Sequence, residues 1–297
     1  MDTKTINRSV ILIMTLFFLQ PMAIGSWLAL IPYVKESIGL TKSELAIALL
    51  GAPIALLIAL QFAGRAVGLI GVRRIFLLAF PLQLVTALFP IMATSQLTLF
   101  LGLAAFGFAI AFMEVALNVY AGRVEKHASR LIMNRCHGFW ALGLTAGSIV
   151  AAAGAGWLTP LGIMAAISID SAVAGILASR QLPKVGAEEE QKAPPRRRLS
   201  QLPLALFAIG GFMFLITLVE GAMADWAAIY LAERTGVDVL EAGIAVTVFS
   251  AFMAASRFLG DWIKRRLGAL LHARLSVGLA ITGLLLLAIP LPVFTSY

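Results

Sequence analysis

The sequence has few charged residues and a single cysteine, and both shortages exclude broad classes of protein. Only 13% of the 297 residues are charged, whereas a soluble domain carries about 25%. So little charge cannot cover a soluble surface, and the mean hydropathy of +0.94 agrees. One cysteine excludes a disulfide framework within the chain. The sequence therefore predicts a polytopic membrane protein.

Nine stretches are long and apolar enough to cross a bilayer, which takes about 20 helical residues. They are Ser9–Tyr33, Lys42–Gly64, Ile75–Thr94, Leu97–Gly122, Asn134–Trp157, Leu161–Ser179, Leu202–Leu231, Leu240–Gly260 and Leu275–Phe294. None alternates apolar and polar residues as the strands of an outer-membrane barrel do. The first lacks a small-residue cleavage site and is interpreted as a retained helix, not a signal peptide. We expect an all-α protein with nine transmembrane helices.

Lysine and arginine are distributed unevenly between the two sides that nine spans define. The side that holds the N-terminus carries 20 of the 23, and the opposite side carries Lys35, Lys42 and Arg234. Because cytoplasmic loops collect these residues, we expect a cytoplasmic N-terminus and a periplasmic or extracellular C-terminus. The same bias explains the net charge of +8, so the expected partner is the lipid bilayer and not nucleic acid.

One polar segment, Arg180–Gln201, divides the chain after the sixth span. It contains three consecutive glutamates, a proline pair and three consecutive arginines. Without apolar periodicity it cannot build a core, so it is predicted to be a flexible cytoplasmic linker. The expected domains are a six-helix bundle over residues 1–180, the linker over 181–201, and three helices of a second bundle over 202–297.

Two short segments, after the second and eighth spans, are similar to each other across this linker. Both contain glycine and paired arginines, and their separation is close to that between the starts of spans one and seven. This favours a six-helix repeat, and duplicated halves are common among transporters. The residues are Gly64, Gly71, Arg73 and Arg74 in the first segment and Arg257, Gly260, Asp261, Arg265 and Arg266 in the second.

This organisation resembles the major facilitator superfamily, whose members have two six-helix bundles and a Gly-x-x-x-Asp-Arg-x-Gly-x-Arg-Arg type loop after helices 2 and 8. Glu114–Asn118, Cys136–Gly143 and Glu220–Trp226 are similar to its fucose-permease-like branch, particularly uncharacterised bacterial inner-membrane members. The resemblance implies a secondary transporter of a small polar solute, such as a sugar or related metabolite. Transport would proceed by alternating access, with proton coupling as an option.

The chain also departs from that family pattern. Gly68 and Leu69 stand at the usual Asp and Arg positions of the first loop, and Leu28 stands where proton-coupled sugar permeases of the branch carry an acid. Helices 10 to 12 are absent from the sequence, so the chain resembles a C-terminally truncated member. The alternative hypothesis is therefore a transport-incompetent membrane protein, or a fragment that requires a partner chain.

Polar residues inside the spans are the candidates for a solute and proton path. A carboxylate at the bilayer centre costs about 2.5–3.5 kcal/mol, so it needs a partner, water or a proton. Glu114 and Asn118 are spaced i, i+4 and share one helix face. The resemblance implies that the acid at Glu114 binds substrate and takes part in proton coupling. The alternative is a neutral Glu114 bonded to a neighbouring helix for packing.

Three further candidates lie in the fifth and seventh spans. Glu220 and Asp225 are about 140° apart around a helix and do not share a face; Asp225 is expected nearer the outer surface. His137 is suited to moving protons near neutral pH, or to bonding a neighbouring group. The sequence has no nucleotide loop, metal-ligand cluster or nucleophile–base pattern, so we expect no enzyme, metal or cofactor. Asp170 receives no role.

Packing expectations follow from the same spans. The five glycines of the fifth span are expected to permit close helix contacts. Without helices 10 to 12, the seventh and eighth spans lose neighbours that would cover their polar side chains. We therefore expect exposure to lipid, and lower stability than in the first six helices, because hydrocarbon offers no hydrogen-bond partner. The side chains concerned are Glu220, Thr247, Ser250 and Ser256.

Overall fold

The structure is a computed structural model that describes residues 2–154, 156–186 and 203–289. Within these residues it contains α-helices and short connections but no strand, which confirms the all-α class. A one-turn 3-10 helix, Glu241–Gly243, precedes the tenth helix. The helices are α1 (Thr3–Leu19), α2 (Met22–Ser37), α3 (Lys42–Leu49), α4 (Gly51–Ile70), α5 (Val72–Leu88), α6 (Gln96–Ala128), α7 (Met133–Gly154), α8 (Pro160–Arg180), α9 (Leu204–Thr235), α10 (Ile244–Leu267) and α11 (Ala269–Ala288).

The described helices form nine rods, because two of the predicted spans are interrupted. α1 and α2 meet at Gln20–Pro21, and α3 and α4 meet at Leu50. Eight of the rods are long and apolar enough to cross a membrane. The ninth, α5, has 17 residues, which is about 25 Å of helix. Each predicted span thus corresponds to one rod, although the end of the last, Phe294, lies outside the described residues.

The rods run up and down, so their ends lie on two faces: the N-terminal face, where α1 begins, and the opposite face. On the opposite face, Thr41, Ser95 and Thr159 cap α3, α6 and α8 through their hydroxyl groups. Such a cap satisfies backbone N–H groups that have no partner within the helix. Capping thus fixes where these three helices begin.

On the N-terminal face, two junctions consist of one glycine each. Gly71 joins α4 to α5 with φ 89° and ψ 144°, and Gly268 joins α10 to α11 with φ 78° and ψ 159°. This region of backbone space is open almost only to glycine. The equivalent conformations of Gly71 and Gly268 support the predicted repeat and match these two residues to each other.

The first six rods share a core that includes close contacts between helix backbones. A Cβ at Gly143 or Gly147 of α7 would collide with the backbone carbonyl of Phe18 or Met22. The expectation of close contacts is therefore confirmed at these two glycines. It is wrong for Gly156, which follows the end of α7 and has no atom within 4 Å of its Cβ position.

The first residues of the predicted linker belong to this core. Leu182 and Val185 are buried, and the Tyr120 hydroxyl donates a hydrogen bond of 2.9 Å to the carbonyl of Pro183. The sequence predicted that a flexible segment begins at residue 181. This start is wrong, because Leu182 and Val185 pack into the core. Residues 187–202 lie outside the described part, and the division into bundles at the linker stays a prediction.

The last three rods dock on the first six mainly through α10, which runs antiparallel to α7. Thr145 Oγ1 donates to Ser250 Oγ at 2.9 Å, and the hydroxyls of Ser148 and Thr247 lie 2.8 Å apart. Thr247 and Ser250 are buried, so the expectation that they face lipid is wrong: α7 supplies their partners. Ser256 is exposed and donates to a carbonyl of its own helix.

Candidate functional site

The centre of the candidate site is the break between α1 and α2, at the middle of the first rod. Pro21 has no N–H group and interrupts the helical hydrogen-bond ladder. The carbonyl of Leu19 accepts a hydrogen bond from Ser171 Oγ at 2.7 Å, and that of Gln20 accepts one from Gln83 Nε2 at 2.7 Å. Backbone groups inside a bilayer must be satisfied by protein. Side chains of α8 and α5 therefore stabilise the break.

At the break, one indole N–H group of α7 is shared by the side chain of Gln20 and a carboxylate of α6. Trp140 Nε1 of α7 lies 3.0 Å from Gln20 Oε1 and 3.1 Å from Glu114 Oε1 of α6. We call these residues the Trp140 cluster. Gln20 is fully buried, whereas Glu114 and Trp140 are partly buried. An indole N–H is only a donor, so it fixes the Gln20 amide with its oxygen towards the indole.

The Trp140 cluster retains an unfilled hydrogen-bond donor. Gln20 Nε2 is buried and has no hydrogen-bond partner among the described residues. Leaving a buried polar group unpaired is costly, by about 1–3 kcal/mol. A donor held next to a carboxylate inside the membrane is therefore suited to a polar ligand that completes the set.

Asn118 shares the face of Glu114 on α6, as predicted, but does not bond its carboxylate. Asn118 Nδ2 donates to the backbone carbonyl of Glu114 at 2.9 Å. It is partly buried and lies one turn nearer the N-terminal face. Asn118 thus borders the cluster without joining it.

His137 extends the cluster by one turn of α7. Its ring packs edge-on against Phe17, with ring centroids 5.5 Å apart. Phe17 precedes Gln20 by three residues on α1, and His137 precedes Trp140 by three on α7, so the two pairs stack along one helix–helix contact. His137 is partly buried. A polar strip therefore runs from the cluster towards the N-terminal face.

A charged pair joins α9 to α10. Arg257 Nη2 is 3.5 Å from Glu220 Oε2, and about a third of each side chain is exposed. Arg257 was predicted to lie in a loop, which is wrong: it lies inside α10, ten residues before the helix ends at Leu267. The sequence predicted that Glu220 faces lipid without a partner. This prediction is wrong, because Arg257 neutralises Glu220.

The other residues predicted for the two loops also lie mostly in helices. Gly64 belongs to α4, and Arg73 and Arg74 open α5 after the Gly71 junction. Gly260, Asp261, Arg265 and Arg266 belong to α10, before the Gly268 junction. The loop locations were wrong because α10 continues further than its apolar stretch indicates. The arginine pairs thus stand on opposite sides of the matched glycines, and a gating role stays a prediction.

Polar contacts link the two parts of the chain at both faces. On the N-terminal face, Asn134 Nδ2 of α7 donates to Asp261 Oδ1 of α10. On the opposite face, Glu233 of α9 pairs with Lys42 at 2.7 Å and with Lys35 at 3.8 Å. Both contacts join helices before residue 187 to helices after residue 202. We call them the N-face contact and the opposite-face contact.

Two carboxylates within the spans have no partner among the described residues. Asp225 on α9 is partly buried, near Trp226. It lies ten residues before the end of α9, nearer the opposite face than Glu220, as expected. Asp170 is exposed at the middle of α8, and nothing in the structure explains it.

Sequence reasoning missed Gln20, Trp140 and Gln83, and one signal could have found the first. Gln20 is a polar residue directly before a proline, in the middle of an otherwise apolar run. Interrupted helices at mid-membrane mark binding sites in many transporters. Trp140 and Gln83 have no such local signal, because only tertiary packing brings them to the break.

Comparison with known proteins identifies the family to which this chain belongs. The family model of the Major Facilitator Superfamily matches residues 13–297. An uncharacterised MFS-type transporter from Yersinia pestis is 29% identical over 85% of this chain and 65% of its own length. The uncharacterised transporter y4wD from Sinorhizobium fredii is 27% identical over 92% of this chain and 72% of its own. Membrane protein MosC from Rhizobium meliloti is 27% identical over 90% and 65%, respectively.

Solved structures share the fold at low sequence identity. The crystal structure of nucleoside transporter NupG superposes with a TM-score of 0.60 at 15% identity, covering 87% of this chain and 68% of NupG. A NupG mutant gives a TM-score of 0.63 at 16% identity, with 87% and 69% covered. The chain spans 65% of the length of two curated relatives. With the family match over residues 13–297, the chain is a multi-pass membrane protein that belongs to the Major Facilitator Superfamily.

Proposed function

We propose that this protein is a secondary transporter of a small polar solute, such as a sugar or a related metabolite, rather than an enzyme. The observation that carries the proposal is the Trp140 cluster. It places a carboxylate, an amide with an unfilled donor and an indole at a helix break in the middle of the first rod. Hydroxyl groups of a solute are suited to fill such a mixed set of donors and acceptors.

The position of the proposed site at a helix break is similar to that of the solute sites of other transporters built from repeats. Interrupted helices expose backbone and side-chain polar groups near mid-membrane, at the interface of two repeats. Here the break in the first rod is stabilised by Gln83 and Ser171, so it persists without ligand. The similarity to the fucose-permease-like branch supports a sugar and a proton-coupling role for Glu114. NupG, a nucleoside transporter, adds nucleosides to the solutes worth testing.

The proposed motion is a rocking of the two helical groups around this site. The N-face contact, Asn134 with Asp261, and the opposite-face contact, Glu233 with two lysines, join the same groups at opposite ends. Access from one face requires the contact on that face to open while the other persists. The two contacts are therefore suited to act as alternating closures.

Uptake by purified protein in liposomes tests the proposal. An inward proton gradient should drive uptake of at least one solute from a panel of labelled sugars, sugar acids and nucleosides. Glu114→Gln should reduce the rate by about tenfold or more, because a hydrogen bond to a charged group contributes about 1.5–3 kcal/mol. Asp170→Asn is the matched control, since this carboxylate contacts no described residue, and it should transport normally.

The outcomes separate a transport role from a packing role. Wild-type uptake by the Glu114→Gln protein would reduce Glu114 to packing. No uptake of any solute at any gradient would contradict transport by this chain. Gradient-independent uptake that still requires Glu114 would remove only the proton coupling.

We also propose a location in the bacterial inner membrane with the N-terminus in the cytoplasm. The excess of lysine and arginine on the N-terminal side supports this orientation. The test uses a Cys136→Ser protein expressed in cells. A single cysteine is then introduced at Ala193 or at Ser296, both of which lie outside the described residues. An impermeant thiol reagent should label the cysteine at Ser296 and not the one at Ala193; the reverse would contradict the orientation.

A further inference from the structure

Neighbouring residues satisfy only part of the charge and the hydrogen-bond donors of the Arg257 side chain. A guanidinium carries five N–H donors, yet the described contact of Arg257 is a single approach to Glu220 at 3.5 Å. Strong charge-assisted bonds between such groups measure about 2.7–2.9 Å. The Arg257 guanidinium therefore neutralises Glu220 without being held tightly by it.

The position of Arg257 excludes a simple surface role. Arg257 lies in the same helical stripe of α10 as Thr247, Ser250 and Asp261, and all three bond to α7. The neighbouring Phe258 ring packs edge-on against Phe139 of α7, 5.6 Å between centroids. Arg257 thus points to the contact between the two helical groups and not to lipid.

The same region connects to the Trp140 cluster. Gly138 of α7 lies against the ring of Phe258 of α10, so the adjacent residues His137 and Arg257 stand at the same level of this helix–helix contact, one turn of α7 from Trp140. Donors inside a membrane need partners or water, and about a third of the Arg257 side chain is exposed and open to a further partner. The polar strip therefore runs from Glu114 and Gln20, past His137, to a cation on the other helical group.

We propose that Arg257 binds a carboxylate group of the transported solute, with Glu220 as the built-in carboxylate that the solute displaces. This deepens the proposed function, on which it rests, and names the substrate class: a hydroxylated carboxylic acid, such as a sugar acid. Its hydroxyl groups bind the Trp140 cluster and its carboxylate binds Arg257 in a bidentate manner.

The chemistry favours a carboxylate over a phosphate group. The group that already contacts the guanidinium is the carboxylate of Glu220, so a solute carboxylate would replace it with a group of the same chemistry. A single arginine also matches a single negative charge, whereas a phosphate monoester carries about two at pH 7. The two oxygens of a carboxylate fit the guanidinium fork in a bidentate manner.

Thermal unfolding of the purified full chain in detergent provides the test. Each neutral sugar is paired with its acid: glucose with glucuronate, galactose with galacturonate, and ribose with ribonate. A solute that binds the folded protein raises its unfolding temperature in a concentration-dependent way. At least one acid should stabilise the protein at a concentration about tenfold below that of its neutral partner, since charge-assisted bonds are about twice as strong as neutral ones.

Variants give the proposal a signature that a structural ion pair would not produce. Arg257→Gln should abolish the preference for the acid. Glu220→Gln should strengthen acid binding by about tenfold, because it removes the competing carboxylate. Glu220→Gln plus Arg257→Gln restores neutrality if the single Arg257 variant folds poorly, and should also lose the preference. Arg274→Gln, at an exposed arginine of α11, is the control and should bind like the wild type.

The outcomes distinguish this inference from the proposed function. If no acid binds better than its neutral partner, or if Glu220→Gln weakens acid binding, the anion site is wrong. Neutral sugars that bind and are taken up would then leave the transport proposal standing. Binding of no member of the panel would count against both.

Discussion

The helices α6 and α9 are almost identical in length and hydropathy but differ sharply in how they pack. α6 has 33 residues and α9 has 32, and an 18-residue stretch of each has a mean hydropathy of 2.1 in α6 and 2.0 in α9. Fourteen residues of α6 are buried, whereas only Ala228 and Ile229 are buried in α9. Hydropathy identifies both as spans and says nothing about which one has protein neighbours.

The first six rods, which contain α6, and the last three, which contain α9, pack through different kinds of contact. The first six rods pack through large buried side chains and through glycines that bring backbones into contact. The last three have few buried residues, and α11 has none. They are attached by hydroxyl pairs, by the N-face contact and the opposite-face contact, and by apolar contacts such as Phe258 of α10 against Phe139 of α7. The last three rods are therefore less tightly packed than the first six.

The largest expected loss of stability comes from a substitution in the tightly packed first six rods. Gly147→Val places a branched side chain against the carbonyl of Met22, and α2 cannot yield without moving its own neighbours. We expect a loss of about 3 kcal/mol or more, seen as a large drop in unfolding temperature or loss of monodisperse protein. Gly221→Val of α9 is the matched control, because no atom lies within 4 Å of its Cβ position. Equal losses would mean that the two regions are equally tightly packed.

Proteolysis compares the two regions directly. Mild digestion with trypsin in detergent should cut first within residues 181–201, which carry several lysines and arginines. The piece that contains α1–α8 should then persist, while the piece that contains α9–α11 is degraded faster, because it buries few of its residues. Mass spectrometry of a time course measures both rates. Equal resistance would show that the later helices are covered by another chain or a second copy.

A smaller effect is expected when the hydroxyl pairs between α7 and α10 are removed. Thr145→Val combined with Ser148→Ala deletes both bonds, and each bond within a membrane contributes about 0.6 kcal/mol on average. We expect a loss of about 1 kcal/mol and faster proteolysis of the later helices. Thr282→Val is the control, since Thr282 bonds only a carbonyl of its own helix. An unchanged digestion rate would show that apolar contacts alone attach α10.

Sequence patterns predicted the rods well, because length and apolarity are local properties. They predicted Glu114 as a candidate, since a lone acid in an apolar helix is unusual. They placed Arg257 in a loop, because charge density rises towards the end of α10 and the helix continues through it. They also predicted that Thr247 and Ser250 are exposed to lipid. That prediction was wrong because a comparison of helix numbers does not reveal that α7 supplies hydrogen-bond partners. Pairing between distant helices requires the folded structure.

The smallest expected effect concerns the opposite-face contact. Glu233→Gln removes the pairing with Lys42 and Lys35. Exposed ion pairs contribute about 0.2–1 kcal/mol, so the loss of stability should be at the low end of that range. It should vanish at about 1 M salt, where the Debye length falls to about 3 Å. Unfolding temperatures at low and high salt measure this dependence.

The same variant separates a closure from a simple surface pair. Glu36→Gln is the control, an exposed glutamate on the same face without a described partner. If the opposite-face contact holds that face closed, Glu233→Gln should make the face more accessible, so a cysteine introduced at Ala29, beside Gly243, should react faster with a thiol reagent. Lys42→Gln should produce the same change, and the two together no further change, because either one breaks the shorter pair. Additive effects would mean that Glu233 and Lys42 act independently.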